Sequence, residues 1–142
     1  MVYKGLLLAN QVGSFYDDLR DPDCESALGL VHQRFSTNTF PTWGLAQPFR
    51  YIAHNGEINT VMGNLNWWMS KEMLLQSTLF SDEELEKLKP ICGDRLSDSG
   101  NFDNVLELLV QAGRSLPHVM MMLIPEAWGP KYHMSADKRA FY

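Results

Sequence analysis

The sequence predicts an α+β domain, because the segments that are typical of strands come first and those that are typical of helices come later. Three apolar or extended segments precede residue 55, whereas amphipathic patterns with helix caps follow residue 63. The 142 residues suffice for one domain, and a hydrophobic share of 45% supplies a packed core and argues against disorder. We therefore expect a single layered domain.

The sequence predicts a strand or extended structure at residues 2–12 and strands at residues 27–35 and 49–54. The second is an apolar run, which we expect to be a buried strand with Arg34 near its end. Residues 37–48 contain two prolines and Gly44, a composition that predicts a loop. Asn55 and Gly56 follow the third strand, and this pair typically marks a tight turn because both residue types tolerate positive φ.

Helices are predicted at residues 64–76, 81–89 and 101–112, from Ser115 and Pro117 to Pro125, and from about Ser135 onward. The helix at 81–89 begins with a capping box formed by Ser81 and Glu84 and ends before Pro90. In the helix that follows, apolar side chains recur at i, i+3, i+4 and i+7, and Gly113 occupies the position of a C-terminal cap.

Composition and charge argue against several classes of protein. The net charge of −5 disfavours a nucleic-acid partner, since phosphate binding requires clustered Lys and Arg. No segment approaches the roughly 20 apolar residues of a membrane span, so we expect no membrane partner. Cys24 and Cys92 lie far apart without CxxC spacing, which indicates neither a disulfide framework nor a metal site. A reducing cytoplasmic location fits these features best.

The segment 32–66 concentrates amide, hydroxyl and guanidinium groups around a short apolar strand. A turn at Asn55 and Gly56 would leave an amide NH₂ and a bare backbone N–H pointing the same way. Two convergent donors are what a developing oxyanion requires. The pattern therefore predicts either an oxyanion-binding site at this pair or an ordinary turn.

Five blocks of the sequence carry a resemblance to a known family: VYKGLLLANQVGSFYDDL, HQRFSTNTFPTW, AHNGEINTVMGNLNW, LSDSGNFDNVLELLVQAGRSLP and MMLIPEAWGP. They resemble the glutaminase domain of glutamate synthase, a class II glutamine amidotransferase of the N-terminal-nucleophile hydrolase type. The blocks are distributed from residue 2 to residue 130, so the resemblance extends over nearly all of the chain. The resemblance implies a four-layer αββα sandwich and hydrolysis of the glutamine side-chain amide, which supplies ammonia for glutamate synthesis.

The resemblance also implies roles for particular residues. The Asn55 side-chain amide and the Gly56 backbone N–H form the oxyanion hole, Arg34 grips the α-carboxylate of glutamine, and Asp98 receives its α-ammonium. A planar guanidinium suits a carboxylate because it donates two parallel hydrogen bonds. The alternatives are a surface ion pair for Arg34 and a helix N-cap for Asp98, and a capping carboxylate still has acceptor sites for a ligand.

The family uses a cysteine at the mature N-terminus as nucleophile, with its own α-amino group as the base. Here Val2 follows the initiator methionine, and Cys24 and Cys92 are internal. We therefore expect residues 1–142 to be a partial amidotransferase domain, truncated at both ends and inactive in isolation. Because the base is an amine, we expect His54 to support the turn rather than to transfer protons.

In the parent enzyme that the resemblance implies, ammonia passes to the remaining synthase domains, where 2-oxoglutarate becomes glutamate. FMN, an iron–sulfur cluster and NADPH, NADH or ferredoxin serve that part, with none of their binding residues in this segment. A small reductase subunit is a further implied partner, and a plastid is the alternative location for a protein of a plant or alga. The alternative function is a non-catalytic fragment or a glutamine-binding module without activity of its own.

Overall fold

The computed structural model describes residues 1–33, 42–56, 58, 61–127 and 129–142. The α-helices in these ranges are α1 (Val12–Phe15), α2 (Met62–Glu72), α3 (Asp82–Leu88), α4 (Asp98–Gln111), α5 (Leu116–Leu123) and α6 (Ala136–Phe141). Short 3₁₀ segments lie at Ala9–Gln11, Asp17–Arg20 and Trp43–Leu45. The described residues contain an isolated antiparallel bridge between Gly129 and Tyr132 and no β-strand.

The chain forms two compact units, residues 1–105 and residues 106–142. Among the described residues, the buried hydrophobic side chains of the first unit are Phe49, Leu85, Cys92 and Val105, and those of the second are Leu106, Val119 and Met134. Burial raises the pKa of the Cys92 thiol to about 11, and the nearby charge of Glu72 acts in the same direction. This thiol is therefore a core residue in its protonated form.

Residues 2–12, predicted as a strand or extended structure, contain no strand, and the strand prediction for residues 27–35 is wrong for the described residues. The first segment ends in the 3₁₀ turn Ala9–Gln11 and the helix α1. In the second, residues 27–33 form no regular structure, and Leu28 and Val31 are 82% and 87% exposed. An apolar run becomes a strand only where a neighbouring strand pairs with its backbone, and no described segment does so here.

The predicted strand at residues 49–54 is wrong for a more specific reason. The backbone N–H groups of Arg50, Tyr51 and Ile52 all donate to the carboxylate of Asp103 on α4. Successive N–H groups of a strand point to opposite edges, so three that converge on one carboxylate cannot belong to a β-ladder. The N–H of Phe49 also donates to the Ile52 carbonyl at 2.9 Å, which closes a turn.

The helix predictions are confirmed, with small shifts at the ends. Ser81 caps α3, and its hydroxyl accepts from the Glu84 N–H while the Glu84 carboxylate accepts from the Ser81 N–H. Gly113 follows α4 with φ of +94°, and the N–H groups of Gly113 and Arg114 donate to the Val110 and Leu109 carbonyls. These two bonds are a Schellman cap, which the glycine permits.

The polar side of α4 holds a neighbouring loop in place. The Asn101 side chain accepts from the Gly93 N–H at 2.9 Å and donates to the Gly93 carbonyl at 3.2 Å. The Asn104 side chain donates to the Ile91 carbonyl at 2.8 Å, and the Ile91 N–H donates to the buried Glu72 carboxylate at the end of α2. In this described part of the chain, partly buried backbone groups thereby find side-chain partners in place of a neighbouring strand.

Candidate functional site

The segment that carries the predicted oxyanion pair is anchored to α4. Oδ1 of Asp103 accepts from the N–H groups of Tyr51 and Ile52 at 2.8 and 3.1 Å, and Oδ2 accepts from that of Arg50 at 3.1 Å. The Asp103 residue is 2% exposed, so the accepting carboxylate is shielded from water. The His54 N–H is held separately by Oε1 of Gln47 at 2.8 Å. The backbone leading to Asn55 is thus held through four of the five N–H groups of residues 50–54.

A lysine lies beside this anchored segment. The Lys4 ammonium is 4.9 Å from the centre of the Phe49 ring, a cation–π distance, and 3.5 Å from the Gly44 carbonyl. Burial lowers the pKa of Lys4, while the negative charge of Asp103 acts in the opposite direction. Lys4 therefore partly balances the charge of the buried carboxylate.

The side chain of Asn55 is oriented by His32. Nε2 of His32 lies 2.7 Å from Oδ1 of Asn55 and 3.1 Å from the His54 carbonyl oxygen. A carbonyl only accepts, so Nε2 carries the proton and donates to both oxygens. The Nδ2 amide of Asn55 then points away from His32. Within the described residues, neither Nδ2 nor the Gly56 N–H donates to a protein acceptor.

The turn at Asn55 and Gly56 differs from the one predicted. The chain bends at this pair, but neither residue has a positive φ. The prediction of a tight turn through positive φ is therefore wrong, because the preceding residues are directed by the Asp103 carboxylate rather than by a hairpin. Both residues are exposed. Their donors are thus accessible to a ligand.

His54 connects this bend to the start of α4. Nε2 of His54 forms a short hydrogen bond with the hydroxyl of Ser99, which is 5% exposed. The Ser99 hydroxyl lies 3.0 Å from Oδ1 of Asp98 and must donate to it, because a carboxylate only accepts. The hydroxyl therefore accepts from the Nε2–H of His54. His54, Ser99 and Asp98 form a continuous donor chain.

Asp98 is not the N-cap of α4, so the N-cap role that the sequence offered as an alternative for Asp98 is wrong. The helix begins at Asp98, and the hydroxyl of Ser97 accepts from the Gly100 N–H at 3.0 Å, the bond that a capping residue makes. Oδ1 of Asp98 accepts from the Ser99 N–H at 2.6 Å as well as from its hydroxyl. Oδ2 has no partner among the described residues, so this oxygen is available to a ligand.

The structure thus links three of the four predicted site residues, Asn55, Gly56 and Asp98, through His54 and Ser99. Arg34 lies outside the described residues. Sequence reasoning missed His32, Ser99 and Asp103 as supporting residues. The partners of His32 and Asp103 lie 23 and 52 positions away, so no local spacing indicates them.

In the described part of the chain, no group of three or more His, Cys, Asp and Glu side chains lies close enough together to hold a metal ion. No helix within the described ranges has the length and apolar character that crossing a membrane requires.

Comparison with known proteins identifies the family. Residues 1–142 match the family model of the class-II glutamine amidotransferases. The chain belongs to this family. Its membership confirms the resemblance inferred from the sequence blocks and implies the N-terminal-nucleophile hydrolase fold class.

Relatives of this class-II amidotransferase chain are glutamate synthases. The chain is 54% identical to the glutamate synthase [NADPH] large chain of Bacillus subtilis, 52% identical to the glutamate synthase [NADH] of Saccharomyces cerevisiae and 49% identical to the ferredoxin-dependent glutamate synthase of Pyropia yezoensis. Each match covers 100% of this chain. The chain spans 9%, 6% and 9% of the length of these three relatives.

Proposed function

We propose that this chain provides the glutamine pocket and the oxyanion hole of a glutamate synthase glutaminase. The observation that carries the proposal is the arrangement at Asn55. His32 donates to its oxygen, and among the described residues neither its amide NH₂ nor the Gly56 N–H has an acceptor. Family membership over residues 1–142 supports the same function.

The proposed reaction is transfer of the glutamyl group to a thiolate and then to water. The thiolate is that of the N-terminal cysteine which the resemblance implies, and it attacks the side-chain carboxamide carbon. The C=O bond becomes a C–O⁻ bond, to which Asn55 Nδ2 and the Gly56 N–H donate. The C–O⁻ bond then returns to C=O as the C–N bond breaks, which leaves a thioester. The departing NH₂ takes the proton that the α-amino group accepted from the thiol and leaves as ammonia. Water cleaves the thioester and releases glutamate.

The two charged groups on the α-carbon of glutamine require partners of opposite charge. We assign the α-ammonium to Oδ2 of Asp98, whose other oxygen is held by Ser99. The α-carboxylate is assigned to Arg34, whose planar guanidinium donates two parallel hydrogen bonds. Asp98 and the Asn55 bend are linked through His54 and Ser99, which keeps the spacing between the two ends of the substrate fixed.

The proposal extends to the complete protein. Residues 1–142 would form part of a four-layer αββα amidotransferase domain, and the ammonia would pass to synthase domains that convert 2-oxoglutarate to glutamate in the cytoplasm or a plastid. The FMN, the iron–sulfur cluster, the reductant and a small reductase subunit would bind outside residues 1–142. They supply the reducing equivalents of the second reaction, and no step at Asn55 depends on them.

The substitution Asn55→Ala in the full-length protein tests the proposal. Glutamine-dependent turnover should fall by roughly 10²-fold or more with little change in KM, because the lost hydrogen bond strengthens as charge develops. Ammonia-dependent glutamate synthesis should be retained, since it bypasses amide cleavage. Asn66→Ala, at an exposed asparagine of α2, is the matched control.

Two results would contradict this function. An equal loss of the glutamine-dependent and ammonia-dependent reactions in Asn55→Ala would assign Asn55 a folding role. Glutamine binding by the full-length protein without ammonia release would favour the alternative of a binding module.

A further inference from the structure

His32 makes contacts that decide which way the Asn55 carboxamide faces. Its Nε2 lies within hydrogen-bonding distance of both the His54 carbonyl and one atom of the Asn55 side chain. If the carboxamide were turned over, its NH₂ would require an acceptor at Nε2, and the lone pair of Nε2 would then face the His54 carbonyl oxygen at 3.1 Å. Only an Nε2–H facing two oxygens satisfies both contacts.

The other ring nitrogen indicates that these contacts are specific. Nδ1 of His32 is buried, carries no proton in this tautomer, and has no hydrogen-bond partner among the described residues. A buried polar atom without a partner is unfavourable, and few such atoms occur in folded proteins. The two hydrogen bonds of Nε2 therefore explain the position of the ring, which is not that of a core histidine with both ring nitrogens hydrogen-bonded.

We propose that His32 is a positioning residue for amide hydrolysis, which fixes the Asn55 carboxamide with its NH₂ toward the oxyanion. This inference rests on the proposed function of Asn55. The terminal torsion of asparagine is broad and roughly two-fold, and Asn55 is exposed, so without His32 the carboxamide samples both faces. An outward Oδ1 would repel the developing negative charge. Oriented donors stabilise that charge without reorganisation at the moment of reaction.

The substitution His32→Leu in the full-length protein removes the donor. We expect kcat for glutamine to fall by roughly 10- to 100-fold, a smaller fall than the one that Asn55→Ala causes. The KM for glutamine should change by less than about threefold. Ammonia-dependent synthesis should be unchanged. His32→Gln should restore most of kcat, because the amide nitrogen of glutamine reaches the position of Nε2. His133→Leu, at an exposed histidine, is the matched control.

A double-mutant cycle with Asn55→Ala separates positioning from a general structural role. Adding His32→Leu to Asn55→Ala should lower kcat by less than about twofold further, because the group that His32 orients is already absent. If His32→Leu does not fold, His32→Asn takes its place, since its shorter side chain keeps polarity without reaching Asn55.

Four results would overturn the inference. The same fold-loss from the His32 substitution in both backgrounds would show that it acts independently of Asn55. An equal loss of ammonia-dependent synthesis would show a folding role. An unchanged kcat in the His32 variant, together with a large loss in Asn55→Ala, would refute the positioning role of His32. The assignment of Asn55 to the oxyanion hole would then still stand. An unchanged kcat in Asn55→Ala would instead refute the oxyanion assignment and this inference with it.

Discussion

Oδ1 of Asp103 accepts a hydrogen bond from the backbone N–H of Tyr51, 52 positions earlier in the chain, at 2.8 Å. The same carboxylate holds the N–H groups of Arg50 and Ile52. Through this one side chain, α4 sets the path of the backbone that leads to Asn55. The start of the same helix carries Asp98, so one helix positions both ends of the proposed glutamine site.

The substitution Asp103→Asn should loosen residues 50–52. The amide has one acceptor oxygen instead of two and carries no charge, and losing a hydrogen bond to a charged group costs about 1.5–3 kcal/mol. Hydrogen–deuterium exchange of these three amides in the full-length protein should therefore speed up by roughly 10- to 100-fold. Glu83→Gln is the control, since its ion pair with Lys87 is exposed. Unchanged exchange in Asp103→Asn would show that the carboxylate does not anchor this segment.

Asp98→Asn and Arg34→Lys should each raise KM for glutamine in the full-length protein by roughly 10- to 100-fold, the equivalent of one charge-assisted contact. An asparagine at position 98 can still accept from Ser99 through its oxygen, so the helix start should be kept. A lysine at position 34 cannot reproduce the bidentate fork. The measurement is steady-state glutaminase kinetics beside a melting curve for each variant.

The controls for these two variants are Asp82→Asn and Arg20→Lys, at exposed positions. An unchanged KM for glutamine in either variant would show that the substituted residue does not bind the substrate. A large fall in melting temperature would favour a structural role instead.

The two cysteines should differ strongly in reactivity. Cys24 is exposed, whereas Cys92 is buried and its pKa is raised to about 11. At about pH 8 only roughly one Cys92 side chain in 10³ is a thiolate, and burial blocks access as well. Iodoacetamide should label Cys24 within minutes and Cys92 only after denaturation, as read by peptide mass spectrometry. Equal labelling of both thiols in the native protein would contradict the burial of Cys92.

The raised pKa of Cys92 also predicts how the free energy of unfolding changes with pH. The ordinary pKa of 9.0 applies to the unfolded chain, and the folded value is about 11. The stability gained from keeping this thiol protonated is therefore complete below pH 9 and is lost as the pH rises from 9 to 11. In Cys92→Ala the free energy of unfolding should therefore fall less between pH 9 and pH 11 than in the unsubstituted protein. The measurement is the free energy of unfolding at a series of pH values.

Gly113→Ala should destabilise the end of α4. The φ of +94° is unfavourable for a residue with a Cβ, and forcing such a residue into the left-handed region costs about 1–2 kcal/mol. The expected result is a lower midpoint of thermal unfolding. Gly13→Ala is the control, because Gly13 has no positive φ and a Cβ there would meet nothing within 4 Å. An unchanged midpoint for Gly113→Ala would show that the Schellman cap contributes little.

The sequence by itself determined the five helices from α2 to α6 and the caps at several of their ends. Ser81 with Glu84, Gly113 and Ser135 act within one turn of the helices that they cap, so the residues that make each signal are close in the sequence. The sequence blocks also determined the family, which the match over residues 1–142 confirmed.

Only the tertiary structure decided how residues 49–56 are held and which side chains support them. The bonds from His32 to Asn55, from His54 to Ser99 and from Tyr51 to Asp103 span 23, 45 and 52 positions. An apolar segment such as 49–54 is compatible with either a strand or a turn, and its backbone donors take whichever acceptor packing brings to them. Here that acceptor is a buried carboxylate on α4, a choice that no local spacing encodes.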